Sequence, residues 1–231
     1  VDGLIAALAS GDPTAHELCV GPIHAHPYLA GQVRETFRRA GEVLPGDPAD
    51  YERLGGFAGL RRALVLGAEG TLGEVEASGL RGRGGAGFPA HIKWRTVADT
   101  PAPQKYVVCN ADEGDSGTFA DRLLIETDPL QLIEGMAIAG VTTGATQGYI
   151  YLRSEYPAAA TVLTYALARA REHGALGIDV FGSGQHFDID VRIGAGAYIC
   201  GEETSLLESL EGKRGVIRAK PPLPAISGLF K

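Results

Sequence analysis

Two periods of apolar residues run along this chain, and the points where one gives way to the other outline its elements. Leu130, Ile133, Ala137, Ile138 and Val141 recur at helical spacing behind Asp128-Pro129, with Asp128 placed as the N-cap and proline at the first helical position. A second helix is expected over residues 157–173, stopped by Gly174. Residues 104–109 form a short apolar run that reads as a buried strand, and residues 148–153 read as the next one. Residues 186–193 alternate with period two, so one face of that strand is wet or lines a site. Leu60, Leu64 and the stretch 71–78 read as two further helices, and residues 31–40 carry a short helical pattern ending at Gly41. Strands alternating with helices imply an α/β sandwich with a mostly parallel sheet. We expect it over residues 57–231, preceded by a Gly-, Pro- and Ala-rich extension, residues 1–56, that is an N-terminal arm or the remnant of a preceding domain.

Composition narrows the class. The chain has 231 residues, 45% of them hydrophobic, which suits one large domain with a small appendage. A formal net charge of -7 argues against a nucleic-acid groove, which requires clustered Lys and Arg to release counterions. Cys19, Cys109 and Cys200 form no C-x-x-C pair, so neither a zinc nor an iron-sulfur site, nor a disulfide frame, is expected from this segment alone. No apolar run approaches the roughly 20 residues of a membrane span and no signal peptide opens the chain, so a cytoplasmic protein is the expectation. The chain stops directly after a Pro-rich loop with no closing element, which reads as a piece of something longer.

Three glycine-rich clusters carry the candidate chemistry. The first, Gly79 to Pro89, spells Gly82-x-Gly84-x-x-Gly87, yet the residues before it read as helix, whereas the dinucleotide fingerprint follows a strand. Arg81, Arg83 and Lys93 around those glycines make it a candidate phosphate nest, with Phe88 and Trp94 offering flat surface for a ring. The second, Cys109 to Phe119, follows a strand and projects Asn110, Asp112, Glu113 and Asp115 near the sheet edge; it reads equally as a solvated acidic turn capping the next helix. Its Gly114-Asp-Ser-Gly117 has no disulfide frame around it and no glycine at Thr118, so the protease-like spelling is coincidental. The third runs strand, loop (194–201), helix (202–210); Glu202 and Glu203 already occupy the field of that helix N-terminus, so it suits ring edges or ribose hydroxyls rather than phosphate. Gly212-Lys213 fails as a Walker A motif, and His24 and His26 have no third partner for a metal.

At these clusters, and through Glu211-Gly-Lys-Arg-Gly215 and Lys220-Pro-Pro-Leu-Pro-Ala225, the chain resembles the FMN- and NADH-binding subunit family: the complex I flavoprotein, the diaphorase of NAD-reducing hydrogenases and the beta subunit of NAD-dependent formate dehydrogenases. Asp112-Glu-Gly-Asp-Ser-Gly-Thr-Phe-Ala-Asp-Arg122 and Tyr149-Ile-Tyr-Leu-Arg-Ser-Glu-Tyr-Pro157 look nearest the formate dehydrogenase form. The resemblance implies a Rossmann-like FMN-binding sandwich whose cofactor is bounded by Gly82, Arg83, Gly84, Gly85, Gly87, Lys93, Asn110, Asp112, Tyr198, Gly201 and Glu202. NAD(H) would lie over the flavin with Phe88 near the adenine and Glu113, Glu203 and Lys220 along the dinucleotide, Glu113 and Glu203 setting its fit and release. Thr96 and Leu223 stand where complex I-like members often carry aromatics. A [4Fe-4S] cluster is expected in a further C-terminal part or a partner, and the implied partners are an iron-sulfur and molybdenum-containing formate-oxidising subunit and a small [2Fe-2S] subunit. The alternatives are the flavoprotein subunit of complex I or of a NAD-reducing hydrogenase, and a non-catalytic module that keeps the fold.

Overall fold

In this computed structural model of the chain, residues 2–11, 16–21 and 25–231 are described. The chain divides into two compact units, residues 1–38 and 39–231. The small unit holds α1 (Asp2–Ala9) and the single turn α2 (Pro27–Ala30), which has proline in its first turn and the His26 imidazole accepting from the Tyr28 N–H at 3.3 Å. His26 thus serves a helix end; His24 lies outside the described residues.

The large unit contains α3 (Pro48–Arg53), α4 (Ala58–Ala77), α5 (Ala90–Asp99), β1 (Tyr106–Ala111), α6 (Ala120–Thr127), α7 (Pro129–Thr143), β2 (Gln147–Leu152), α8 (Pro157–Glu172), β3 (Asp188–Ile193) and α9 (Glu203–Leu210). The strands form a parallel sheet in the order β1-β2-β3. Register is flush: Tyr106 pairs with Gln147 and that with Asp188, and at the far end Ala111, Leu152 and Ile193 align. All three strands therefore end at one edge, and the chain segments that follow them emerge side by side. Strand alternation sends Ile150, Leu152 and Ile189 into the main core with Leu130, Ile133 and Ala137 of α7 and Ala159, Leu163 and Ala166 of α8. The opposite face presents Tyr151 and Val108 to Leu206, Leu207 and Cys200 of the third glycine segment and α9. A parallel sheet covered on two faces is the expected Rossmann-like α/β sandwich.

The differences from expectation have local causes. Residues 31–40 form turns and irregular chain rather than a helix; Val33 is 88% exposed and the segment has no apolar stripe to bury, which is what stabilises a short helix. Asp128 precedes α7 as expected but does not cap it: its carboxylate accepts from the Arg39 Nε at 2.8 Å, both side chains being buried. Glu134 of α7 accepts from the Tyr51 hydroxyl and from the N–H groups of Phe57 and Leu60, capping α4 from outside. Through Arg39 and Tyr51, residues 39–56 pack into the large unit, so the boundary drawn at residue 57 cuts through a buried network. α4 is broken at Gly67 (φ 68°), which yields the two helices read from the sequence. β1 lies two residues later than expected, and α5 and α6 were not anticipated. Among the described residues no helix is long and apolar enough to cross a membrane.

Candidate functional site

A cleft of about 520 Å³ opens where the strands end, within the usual size range of small-molecule sites. The first glycine cluster contributes Arg83 and Gly84, the second Asn110 and residues 112–115, and the third Tyr198, Ile199, Gly201 and Glu202. The three turns singled out in the sequence thus converge on one hollow.

Each turn is fixed by its own chemistry. The first is pinned at its foot by an antiparallel bridge between Arg81 and Pro89, with the Gly82 N–H on the Phe88 carbonyl at 2.8 Å and Arg81 Nη1 on the Gly87 carbonyl at 3.0 Å. Gly85 and Gly87 hold φ of 104° and 60°, a region that glycine enters without strain. A Cβ at Gly84 would meet no protein atom, so the bare backbone there leaves space rather than making room for packing. The loop follows a helix, not a strand, which rules out the Rossmann reading of its spelling.

The second and third turns are stitched together. Alternation along β1 puts Asn110 on the face of Tyr151, toward α9, and its Nδ2 donates to the Gly201 carbonyl at 2.7 Å while its Oδ1 accepts from the Asp112 N–H at 3.2 Å. The Tyr198 hydroxyl donates to Asp115 at 2.6 Å, and its ring lies so close to Gly114 that a Cβ there would sit 2.7 Å from it. Glu202 caps α9, accepting from the N–H groups of Thr204 and Ser205 at 2.8 and 3.0 Å, and pairs with Lys220 at 3.0 Å. Burial works to raise its pKa, but a hydrogen bond from the Thr204 hydroxyl, together with the two N–H groups and Lys220, outweighs it and brings the group to about 2. Lys220 also pairs with Glu203 at 2.6 Å, whose other oxygen lies 3.9 Å from Lys93.

The cleft is acidic. Burial raises the pKa of Asp112, opposed by Arg153, and raises that of Asp121, reinforced by the charge of Glu113. Arg83 stands as the cation among the lining residues.

Of the residues picked from the sequence, Arg83, Gly84, Asn110, Asp112, Glu113, Tyr198, Gly201 and Glu202 line the cleft. Lys220, Glu203 and Lys93 stand next to it as a chain of ion pairs ending on Glu202. Gly82, Gly85 and Gly87 shape the first loop, and Phe88, 44% exposed, stands at its foot outside the lining. Trp94 lies half-buried in α5, also outside the lining. The second cluster forms a wall of the cleft, and its Glu113 carboxylate, buried rather than solvated, caps α6, accepting from the Asp121 and Arg122 N–H groups at 3.0 and 3.2 Å. Thr118 and Asp121 were missed as wall residues: no periodic signal marks α6, which carries Asp121, and Thr118 is brought there by a turn in which its N–H donates to the Asp115 carbonyl at 3.1 Å. Among the described residues no group of three His, Cys, Asp or Glu is placed to hold a metal ion.

Fold and site together define a Rossmann-like α/β protein with a cleft at the carboxyl edge of its sheet, lined by bare backbone, carboxylates and one arginine. Residues 75–230 match the Nuo51 FMN-binding domain, and the chain belongs to that family. It is 50% identical over 200 residues, 87% of its length, to the NADP-reducing hydrogenase subunit HndC of Solidesulfovibrio fructosivorans, covering 41% of that protein. It is 46% identical over 221 residues, 94% of its length, to the mitochondrial NADH-ubiquinone oxidoreductase 51 kDa subunit of Neurospora crassa, covering 45% of it. A NAD+-reducing [NiFe]-hydrogenase in the H2-reduced state superposes with a TM-score of 0.70 and 31% identity, covering 98% of this chain and 36% of that one. The chain thus spans less than half the length of the relatives it matches.

Proposed function

We propose that this chain binds FMN in the cleft and serves as the NADH-oxidising flavoprotein portion of a multi-subunit oxidoreductase, of the complex I or NAD-reducing hydrogenase type. The convergence of three glycine turns from distant parts of the sequence on one hollow carries this reading. The donor set fits the cofactor: Arg83 and the bare amides of the first loop suit a phosphate, while Asn110, Asp112 and Glu202 present polar edges to ring N–H groups and ribityl hydroxyls. When bound, FMN accepts a hydride and releases electrons singly, turning a two-electron donor into a one-electron supply. The chain's own residues position rather than react. Asn110 ties two walls together, Glu202 and Lys220 hold the N-terminus of α9 against the cleft, and Glu203 is the carboxylate we assign to the nicotinamide nucleotide, with Glu113 forming the wall beside it and Phe88 available to the adenine. An iron-sulfur centre in a further part of the protein or in a partner, such as a small [2Fe-2S] subunit, would take up the electrons. The hydrogenase and NADH-oxidoreductase relatives support these two settings over a formate-oxidising, molybdenum-containing partner.

The test is a fluorescence titration of FMN with the full chain, followed by anaerobic addition of NADH to the loaded protein. A one-to-one complex, weakened about tenfold by Arg83→Ala through loss of a charge-assisted bond, and bleaching of flavin absorbance by NADH are expected. Failure of the wild-type chain to quench FMN would leave a non-catalytic module with the same fold.

A further inference from the structure

Arg153 and Tyr156 lie in the segment Tyr149 to Pro157, prominent in the sequence, whose part in the cleft so far is only the charge of Arg153 acting on Asp112. We infer that they are positioning residues, which clamp the acidic wall through Glu113 and thereby set the cleft's shape. The inference rests on the proposed FMN reading for its ligand, though not for its geometry.

The wall is a loop closed by one side chain. Glu113 is only 9% exposed, and its two carboxylate oxygens accept from Asp121 and Arg122 at the start of α6, which has no cap from its own N-cap residue Phe119. The same residue thus begins the loop with its backbone and ends it with its carboxylate, and Gly114, Asp115 and Thr118 between these points face the cleft. A buried carboxylate requires further donors, and the Tyr156 hydroxyl supplies one at 3.0 Å. The Glu113 carbonyl accepts from Arg153 Nη1. Arg153 is itself held: its backbone N–H donates to the Ala111 carbonyl at 3.2 Å, while in its side chain Nε pairs with Glu155 at 3.2 Å and the guanidinium lies 5.0 Å from the Tyr156 ring centroid. Its side chain is 19% exposed, and neither Arg153 nor Tyr156 lines the cleft, so their effect on a ligand passes through the wall residues, Glu113 by contact and Asp112 by the charge of Arg153, which Arg153→Lys retains.

A planar fork that bonds a carbonyl, pairs with a carboxylate and stacks on a ring uses properties that lysine lacks. This separates a clamp from a mere positive charge. The full chain would be compared as wild type, Arg153→Gln, Arg153→Lys and Tyr156→Phe, by residue-resolved amide exchange without ligand, FMN affinity and thermal unfolding. Exchange at residues 113–122 is expected to rise about tenfold in Arg153→Gln, as for loss of a charged hydrogen bond, with α7 and α8 unchanged. FMN affinity is expected to fall about tenfold in the same variant, without rescue by Arg153→Lys and with a smaller loss in Tyr156→Phe. Wild-type exchange and affinity in Arg153→Gln, full rescue by lysine, or lost protection spread evenly over α7 and α8 would each overturn the clamp. If wild-type protein bound no FMN, the cofactor reading would fail while the exchange measurement still decided the clamp.

Discussion

Glu202 shows how much a single carboxylate does at this site. It accepts from the Thr204 hydroxyl and from two backbone N–H groups in the first turn of α9 and holds Lys220, so its ionised form is preferred in the fold and its pKa falls from 4.5 to about 2. A depressed carboxylate contributes stability that is complete above its unfolded pKa and is lost as pH falls through the folded one. Glu202→Gln is therefore expected to cost about 1 kcal/mol at pH 7, the usual worth of an N-cap. The gap between variant and wild type should close between pH 4.5 and about 2, as wild-type Glu202 takes up its proton. Urea unfolding of both proteins at pH 7 and pH 3 measures this; a gap that stays constant would show that charge is not what the cap uses. The two glutamates of this cluster were legible as first-turn carboxylates, whereas Lys220 lies at the far end of an irregular segment whose course no periodicity reveals.

Elements with a long apolar stripe were readable from the sequence, and the fits between them were not. α7 was read from Leu130, Ile133, Ala137, Ile138 and Val141 because burying one face demands that spacing. α6, eight residues long, holds its start through Glu113, a contact made across a loop, and no local pattern announces it. The packing of α7 on the sheet turns on a slot: a Cβ at Gly140 would lie 2.3 Å from the Phe187 ring and one at Gly148 of β2 would lie 2.9 Å from it, and Phe187 is fully buried. Gly140→Ala should therefore destabilise the protein by about 1–3 kcal/mol, the cost of overpacking a filled core. Gly135, on the same helix, has open space where its Cβ would be, so Gly135→Ala should stabilise by about 0.5–1 kcal/mol on helix propensity. Opposite signs in thermal melts would place the effect in the slot; two stabilising substitutions would mean that Phe187 yields easily.

Over the whole molecule, the sheet brings together what the sequence keeps apart. Arg83, Asp112 and Glu202 stand far apart along the chain, and the flush register of three parallel strands delivers two of their loops to one edge. That three bare turns exist was readable; that they share one hollow follows from register and from the Asn110 bridge, which only the folded chain displays. A ligand that touches all three walls binds the folded state and not the unfolded one, so it must raise stability by mass action. At a free concentration one hundred times its dissociation constant the gain is about 2.7 kcal/mol, and for a chain of this size that corresponds to a rise in melting temperature of roughly 5–10 °C. FMN should produce this rise with a dependence on its concentration that matches the affinity from fluorescence, while riboflavin, which lacks the phosphate assigned to Arg83 and the first loop, should produce a smaller one at equal concentration. Equal shifts from the two would remove the phosphate from the first loop and leave the ring alone to account for binding; no shift from either would mean that the three walls, though adjacent, do not share a flavin.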